Sequence, residues 1–205
     1  MSSATSQPES DAKRDAICAA AIVVFSARGF SRTSMSHIAG EAEMSRPALY
    51  QYFANKGDIF ASAFMALVDG AADASLACLG SGQVSSQPTG SIAAQLDGFL
   101  QRFEGDLWER TSASPYGDDL LSAKSEYAPE AMGLVMKRLM SGLEAYLKRV
   151  SSGGRSVAAA KQRAGWLDML EFSPKGFKFD QPTVAVYRRR LTALAASVAA
   201  DIEAP

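Results

Sequence analysis

The hydrophobic positions of the chain return every three or four residues, which is the spacing of amphipathic helices. No stretch shows the two-residue alternation of a strand. The first pattern runs from Asp11 to Arg28 and ends at Gly29, a residue type that commonly closes a helix. A shorter pattern follows, with Thr33 or Ser34 as its N-cap, because a hydroxyl oxygen can accept from the free backbone N–H groups there.

The next helix begins near Ser45, and Pro47 fits its first turn, where no backbone donor is needed. Longer helical patterns fill the rest of the chain, apart from a loop over 80–91 and an interruption at 173–179. The predicted ranges are 55–78, 92–110, 116–125, 129–150, 155–172 and 182–202. The pattern therefore predicts an all-α protein in which three short helices precede a larger helical body.

The composition is that of a globular protein with balanced charge. The chain has 205 residues, 47% of them hydrophobic, and a formal net charge of −1. No run reaches the roughly 18 apolar residues of a membrane span, and the polar stretch 1–10, which we interpret as a disordered tail, lacks the features of a signal peptide. Two cysteines and one histidine make neither a disulfide framework nor a multi-histidine metal site. These features indicate a cytoplasmic protein with no membrane, metal or cofactor requirement.

Residues 43–56, EMSRPALYQYFANK, combine a narrow apolar stripe with a wide polar face. Leu49 and Phe53 lie four residues apart, so they fall on one side of a helix and can pin it to its neighbours. Three short helices with a tight turn before the last have the proportions of a helix-turn-helix motif. In that motif the second helix of the pair enters the major groove and leads with its N-terminal residues.

The polar face carries side-chain types that bind DNA. Arg46 can contact guanine O6 and N7 with both guanidinium nitrogens, and Gln51 can pair with adenine. Hydroxyls and a lysine charge can bind phosphates, and these are supplied by Ser45, Tyr50, Tyr52 and Lys56. Between residues 13 and 56, six basic residues outnumber three acids, a local balance of +3 in a chain whose total is −1. Taken alone, the tyrosines would more commonly be packing residues, so their DNA role depends on the motif.

The stretch GFSRTSMSHIAGEAEMSRPALYQYFANKGDIF closely resembles the N-terminal DNA-binding domain of the tetracycline-repressor (TetR) family, over about residues 13–62. The resemblance implies a helix-turn-helix domain at 11–57 and a ligand-binding and dimerisation domain at 58–205. It implies a homodimer that binds a palindromic double-stranded DNA operator, represses transcription and is released by a small-molecule effector. The DNA-contacting residues that it implies are Thr33, Ser34, Ser36, Ser45, Arg46, Ala48, Tyr50, Gln51, Tyr52 and Lys56.

Two positions depart from the family pattern. Glu43 stands where the family usually has the glycine of the turn, so a left-handed backbone at this position would cost roughly 1 kcal/mol. Gly57 replaces the usual glutamate beside the lysine that opens the fourth helix. Neither departure removes a DNA-contacting group.

The helical body offers candidates for an apolar ligand pocket, with methionine giving adaptability. The candidates are Phe64, Phe99, Phe103, Trp108, Tyr127, Met132 and Met136. Each of them, taken singly, is more commonly an ordinary core residue than a pocket residue. The sequence gives no basis for naming the ligand.

The last two helices carry apolar stripes that predict the dimer interface. Their width suggests more than one helical partner, and small residues beside large ones allow close approach. The predicted interface residues are Val157, Ala160, Ala164, Leu167, Val184, Tyr187, Leu191, Leu194 and Val198.

Two other classes of protein remain as alternatives. One is a helical adaptor that keeps the fold without operator binding, for which Glu43 is the only support. The other is a small all-α enzyme, which could draw on Asp118, Asp119, Glu126 and Glu130 as paired carboxylates or as a metal site. No Glu-x-x-His pair or glycine-rich phosphate loop accompanies them, so no catalytic residue is predicted.

Overall fold

The computed structural model describes residues 6–80, 90–112, 114–151 and 156–204, with side chains from residue 9 onward. Within these ranges the regular structure is helical and contains no strand, which confirms the predicted fold class. The helices are α1 (Ser6–Arg28), α2 (Met35–Glu41), α3 (Arg46–Leu49), α4 (Lys56–Cys78), α5 (Ile92–Leu100), α6 (Asp106–Ser112), α7 (Gly117–Tyr127), α8 (Ala131–Val150), α9 (Val157–Gly176) and α10 (Val184–Glu203).

Two of the helix boundaries differ clearly from the predicted ones. Helix α1 already begins at Ser6, inside the stretch interpreted as a tail. Helix α9 continues through Pro174 to Gly176, because a proline in the last turn removes only one of the helix hydrogen bonds. Most of the predicted loop at 80–91, namely residues 81–89, and the predicted start of α9 at residue 155 lie outside the described residues.

The helix predicted at 92–110 contains a π-helical turn. Residues Gln101–Gly105 form this turn between α5 and α6. A π turn accommodates one extra residue and often occurs at functional sites. Its last residue, Gly105, is buried, and a side chain there would meet the guanidinium of Arg188 from α10. The π turn therefore lets the guanidinium of Arg188 on α10 come close to the backbone of Gly105.

The chain divides into two compact units, which differ from the predicted domains at 11–57 and 58–205. Among the described residues, the first unit comprises 6–68 and 114–133. The second unit comprises 69–80, 90–112, 134–151 and 156–204. The core of the first unit joins α1, α2, α3, the start of α4 and α7, through residues such as Ile17, Ile38, Leu49, Ile59 and Ala123.

The second unit is built around α10. Its buried face packs chiefly against α5, and it also touches the π turn, α6 and α9. The hydroxyl of Ser75, on α4, donates to the carbonyl of Phe99 on α5 at 2.6 Å. The N-caps of α5, α9 and α10 are Ser91, Ser156 and Thr183, each accepting from a backbone N–H in the first turn.

Helix α4 is the one described helix that is long and apolar enough to cross a membrane by length and composition. Such helices also occur in the cores of soluble proteins. Here Ile59, Phe60 and Ala63 of α4 are buried in the first unit, and Leu76 is buried in the second unit. The apolar character of α4 is thus explained in part by core packing.

Candidate nucleic-acid interface

Helix α3 is a single turn whose N-terminal end is capped. The hydroxyl oxygen of Ser45 accepts from the backbone N–H of Ala48 at 3.3 Å, and Pro47 lies in the first turn. Leu49 and Phe53 are buried in the core of the first unit, as the sequence predicts. The stripe that holds the helix therefore points inward, and its other side faces solvent.

The solvent side of α3 presents the predicted base-reading residues. Arg46 and Gln51 are exposed, and the side chain of Tyr50 is 44% exposed. The guanidinium of Arg46 donates to the Tyr50 hydroxyl at 3.2 Å and lies 5.6 Å from the centre of its ring. This arrangement orients a planar donor group at the N-terminal end of the helix, and Ala48 beside it is small enough to let a neighbouring surface approach.

The start of α2 supplies further exposed hydroxyls. Ser34 is the N-cap, and it forms a capping box with His37, whose Nδ1 accepts from the backbone N–H of Ser34 at 3.3 Å. Ser36 is exposed in the same turn. Thr33 does not fit the prediction, because it is 4% exposed and its hydroxyl donates to the carbonyl of Gly29 at 2.6 Å. That hydroxyl holds the turn after α1 and is unavailable to a phosphate.

Lys56 is directed into the protein and not outward as predicted. Its ammonium group donates to the carbonyls of Phe30 and Thr33 at 2.8 and 3.0 Å and lies 4.2 Å from the centre of the Phe30 ring. A lysine has three N–H donors, so one remains for a phosphate. Sequence spacing could not show that two carbonyls of the α1–α2 turn lie within reach of this ammonium group.

Tyr52 also contributes through its backbone. Its carbonyl accepts from the guanidinium of Arg14 at 2.5 Å, and that guanidinium lies 4.2 Å from the centre of the Phe53 ring. Two of the six basic residues counted in the sequence, Arg14 and Lys56, are therefore engaged in holding the unit together. Arg28, Arg32 and Arg46 are exposed.

The turn between α2 and α3 has the left-handed backbone that the position of Glu43 predicts. Its φ is +52°, a conformation in which a side chain is strained and glycine is not. The backbone N–H groups of Glu43 and Met44 nevertheless donate to Gly40 and Ala39 at 3.2 and 3.0 Å. The turn thus closes in spite of the substitution.

Helix α7 supports the α1–α2 turn, although no sequence signal connects them. The carboxylate of Asp119 accepts from the Ser31 N–H at 2.9 Å and from the Ser31 hydroxyl at 2.5 Å. The hydrogen bond from the Ser31 hydroxyl lowers the pKa of the Asp119 carboxyl. The ring of Tyr116 lies 5.5 Å from the guanidinium of Arg32. These contacts fix the loop that precedes α2.

Tyr127, predicted as a pocket residue, packs against Phe30 of the α1–α2 turn and against Gly57. Its ring centre lies 4.9 Å from that of Phe30, and its edge touches Gly57 so closely that a side chain at position 57 would overlap it. This contact gives a reason for the glycine that stands in place of the family's glutamate. Only the small size of Gly57 could have suggested from sequence that a ring packs there.

The predicted pocket residues are divided between the two units. Phe64 packs on the core of the first unit. Met132 and Tyr127 also belong to the first unit. In the second unit Phe99, Phe103 and Met136 line a narrow cavity of about 10 Å³. Trp108 lies outside this lining, with its ring centre 5.4 Å from that of Tyr187. That all seven residues line one pocket stays a prediction.

The predicted dimer stripe on α10 is mostly internal. Tyr187, Leu191, Leu194 and Val198 are buried within the single chain, while Val184 is half-buried. The prediction failed here because a periodic stripe shows that a face is covered without showing which helix covers it. On α9 the prediction fits better: Val157, Ala160 and Ala164 are exposed and Leu167 is half-buried.

Comparison with known proteins agrees with this geometry. Residues 17–63 match the family described as bacterial regulatory proteins, tetR family. A TetR-family transcriptional regulator from Mesorhizobium loti is similar in structure, with a TM-score of 0.58 and 17% identity over 94% of this chain and 97% of the other. One from Streptomyces coelicolor has a TM-score of 0.58 and 20% identity over 90% and 81%. The fatty acid degradation regulator FadR from Bacillus halodurans has a TM-score of 0.51 and 18% identity over 94% and 97%.

No curated protein matches the sequence. The match over residues 17–63 confirms the resemblance to the tetR family read from the sequence. The chain as a whole has the fold of a TetR-family transcriptional regulator, with an N-terminal helix-turn-helix domain and a helical C-terminal part.

Proposed function

We propose that the protein is a dimeric cytoplasmic repressor that binds a palindromic operator and is released by a small molecule. The observation that carries the DNA-reading part of this proposal is the division of α3 into two sides. Leu49 is fully buried, while Arg46 is exposed at the N-terminal end of α3, the end that enters the major groove in a helix-turn-helix, and Gln51 is exposed just after the helix. A guanidinium and an amide at this position match the hydrogen-bonding edges of guanine and adenine.

The dimer is supported by an exposed face that runs along α9 and α10 of the second unit. On α10 the exposed residues Ala185, Ala193, Ala196 and Ala200 share one side of the helix, and small residues allow a second helix to approach closely. On α9 the corresponding residues include Val157, which is 86% exposed. One helix-turn-helix domain, which we call a reading head, makes few base contacts. A second reading head at a fixed distance supplies the missing specificity.

Release by an effector requires a ligand site in the second unit. The cavity beside Phe99, Phe103 and Met136 is the candidate that the structure supports. Its present volume is that of about one water molecule, so a ligand has to open it, and flexible methionines make such opening easier. A ligand that favours a dimer with wrongly spaced heads would weaken operator binding, with a coupling on the order of 1–3 kcal/mol.

A shift assay with the DNA upstream of the protein's own gene, together with selection from random duplexes, tests the proposal. We expect an inverted repeat to be selected. Its affinity should fall steeply between about 50 and 200 mM salt, because phosphate contacts release counterions. Failure to select any sequence, or an affinity that does not change with salt, would contradict operator binding.

The adaptor and enzyme alternatives have less support. The turn at Glu43 closes with its hydrogen bonds intact, so the substitution gives no physical reason for loss of DNA binding. Among the described residues, no group of three or more His, Cys, Asp or Glu side chains is arranged to hold a metal ion. Asp119, one of the carboxylates considered for catalysis, is engaged by Ser31.

A further inference from the structure

The second unit contains a lysine ammonium that lies against two aromatic rings and a carboxylate. Nζ of Lys178 is 2.7 Å from Oε2 of Glu104. The same nitrogen is 5.3 Å from the ring centre of Tyr187 and 5.8 Å from that of Trp108. Cations within about 6 Å of an aromatic face are attracted by its negative potential. We call the group formed by Glu104, Trp108 and Tyr187 the cation cage.

The cage is held in place by the fold around it. Glu104 lies in the π turn, and the Tyr187 hydroxyl donates to its Oε2 at 3.0 Å and lies 3.3 Å from the carbonyl of Pro174. Tyr187 is fully buried, and its ring centre lies 5.4 Å from that of Trp108. The carboxylate and the rings are thus positioned by packed helices, whereas Lys178 lies in the connection after α9.

An apolar cavity adjoins the same carboxylate. Two carboxylates, those of Glu104 and Glu171, line it together with Phe99, Phe103 and Met136. One site therefore offers an apolar wall for the body of a molecule and a carboxylate with aromatic faces for its charged end. Recognition of ammonium ligands uses this combination of rings and negative charge.

We propose that the effector is an organic ammonium cation with an apolar body, and that its charged group replaces Lys178 in the cation cage. The apolar body then occupies the cavity beside Phe99 and Met136. The inference rests on the proposed effector site in the second unit and specifies the chemical class that it takes.

The exposures of the two charged partners favour a cation over an anion. The Glu104 side chain is 15% exposed and that of Lys178 is 33% exposed. Lysine can move its ammonium into water on a flexible stem, whereas Glu104 is deeper and fixed on the π turn. A departing Lys178 would leave a buried carboxylate that needs a positive partner, since unpaired buried charge is costly. An anionic ligand would instead place a second negative charge beside Glu104.

Lys178 acts in this arrangement as an internal competitor of the ligand. A tethered group is present at a high effective concentration, so its removal should strengthen the binding of an external cation. Removal of Glu104 should weaken it. A cage that serves stability alone gives no such pair of opposite effects.

Calorimetry of the full-length protein with three probes of one shape tests the proposal. The probes are 4-phenylbutylamine, which is protonated at neutral pH, 4-phenylbutanol and 4-phenylbutyrate. We expect the amine to bind best. Glu104→Gln, which keeps an acceptor for Tyr187, should weaken amine binding by roughly tenfold or more, and Lys178→Met should strengthen it by roughly tenfold.

Lys148→Met serves as the control, because Lys148 pairs with Glu144 on the exposed side of α8. This variant should bind the amine as tightly as the unchanged protein does. Tighter binding of the butyrate, no binding of any probe, or a Lys178→Met variant that binds the amine no better would overturn the proposal. If Glu104→Gln does not fold, the ranking of the probes and the Lys178→Met result still decide. Operator binding without probe is measured separately, so failure of the repressor proposal is distinguishable.

Discussion

Single residues of the DNA-binding unit show how residue type and residue role can differ. Ser45 and Ser34 cap helices with the hydroxyls that the sequence assigned to DNA contact. Lys56 and Thr33 hold the α1–α2 turn. Because one hydroxyl or ammonium can serve only a few partners, these internal bonds limit what each group can offer to a phosphate.

Glu43→Gly should stabilise the protein. The left-handed backbone at this position costs a residue with a side chain roughly 1–2 kcal/mol, and the extra entropy of glycine in the unfolded chain offsets part of that gain. We expect a net gain of about 0.5–1 kcal/mol in the free energy of unfolding, measured with urea. The matched control is Glu41→Gly in the last turn of α2, which should lose about 0.5–1 kcal/mol. Equal losses for both variants would show that Glu43 is not strained.

Lys56→Met should destabilise the first unit as well as weaken DNA binding. The variant keeps the aliphatic stem but leaves the carbonyls of Phe30 and Thr33 without their donor, at a cost of about 1–3 kcal/mol. Urea unfolding measures this loss. Lys137→Met on the exposed surface of α8 is the control and should be close to neutral. Unchanged stability of Lys56→Met would mean that the ammonium contributes only to DNA contact.

At the scale of elements, we propose that the single turn of α3 is the part that reads the DNA sequence. Its orientation depends on Leu49 and Phe53 inside and on the cap at Ser45. Its polar side chains differ in what they can recognise, since only base-edge contacts distinguish one sequence from another. Variants of α3 should therefore change specificity, whereas variants of the supporting helices should change affinity for all sequences alike.

Arg46→Ala should cost roughly 1–3 kcal/mol of operator affinity and relax the preference at one base position. The reason is the loss of a planar donor pair that fits guanine. Selection from random duplexes and titration against operator and random DNA provide the measurement. Arg110→Ala, which removes the same charge from the exposed surface of α6, is the control. An equal loss on both kinds of DNA would remove Arg46 from the base-reading residues.

The elements also show what could be predicted from the sequence and what could not. The burial of Leu49 and Phe53 was predictable, because their local spacing determines it. The bond between Ser31 and Asp119 was not, because 88 residues separate the two and neither has a distinctive neighbourhood. For α10, the spacing identified a covered face correctly, but packing against α5 and not against a second chain covers Leu191 and Val198.

At the scale of the whole molecule, the exposed alanines of α10 should form part of the contact between two chains. The variant Ala193→Glu with Ala196→Glu would place charges in that contact, where unpaired burial is very costly. We expect folded monomers in sedimentation velocity and loss of palindrome binding. Ala94→Glu on the exposed side of α5 is the control and should remain dimeric.

A dimeric double variant that still binds the palindrome would show that the chains meet elsewhere. Charges placed on the buried stripe of α10, as in Leu191→Asp with Val198→Asp, would not test the interface. Both side chains are buried within one chain. That variant should fail to fold.

The central claim, that two heads at a fixed separation read two half-sites, is tested most directly by changing the half-site spacing. Titrations would compare the selected palindrome with the same sequence carrying about five extra base pairs, half a helical turn, between its halves. The account predicts that the insertion lowers affinity to the level of random DNA, because the second head then faces the wrong side of the duplex. Unchanged affinity after the insertion, or equally tight binding to one isolated half-site, would contradict it.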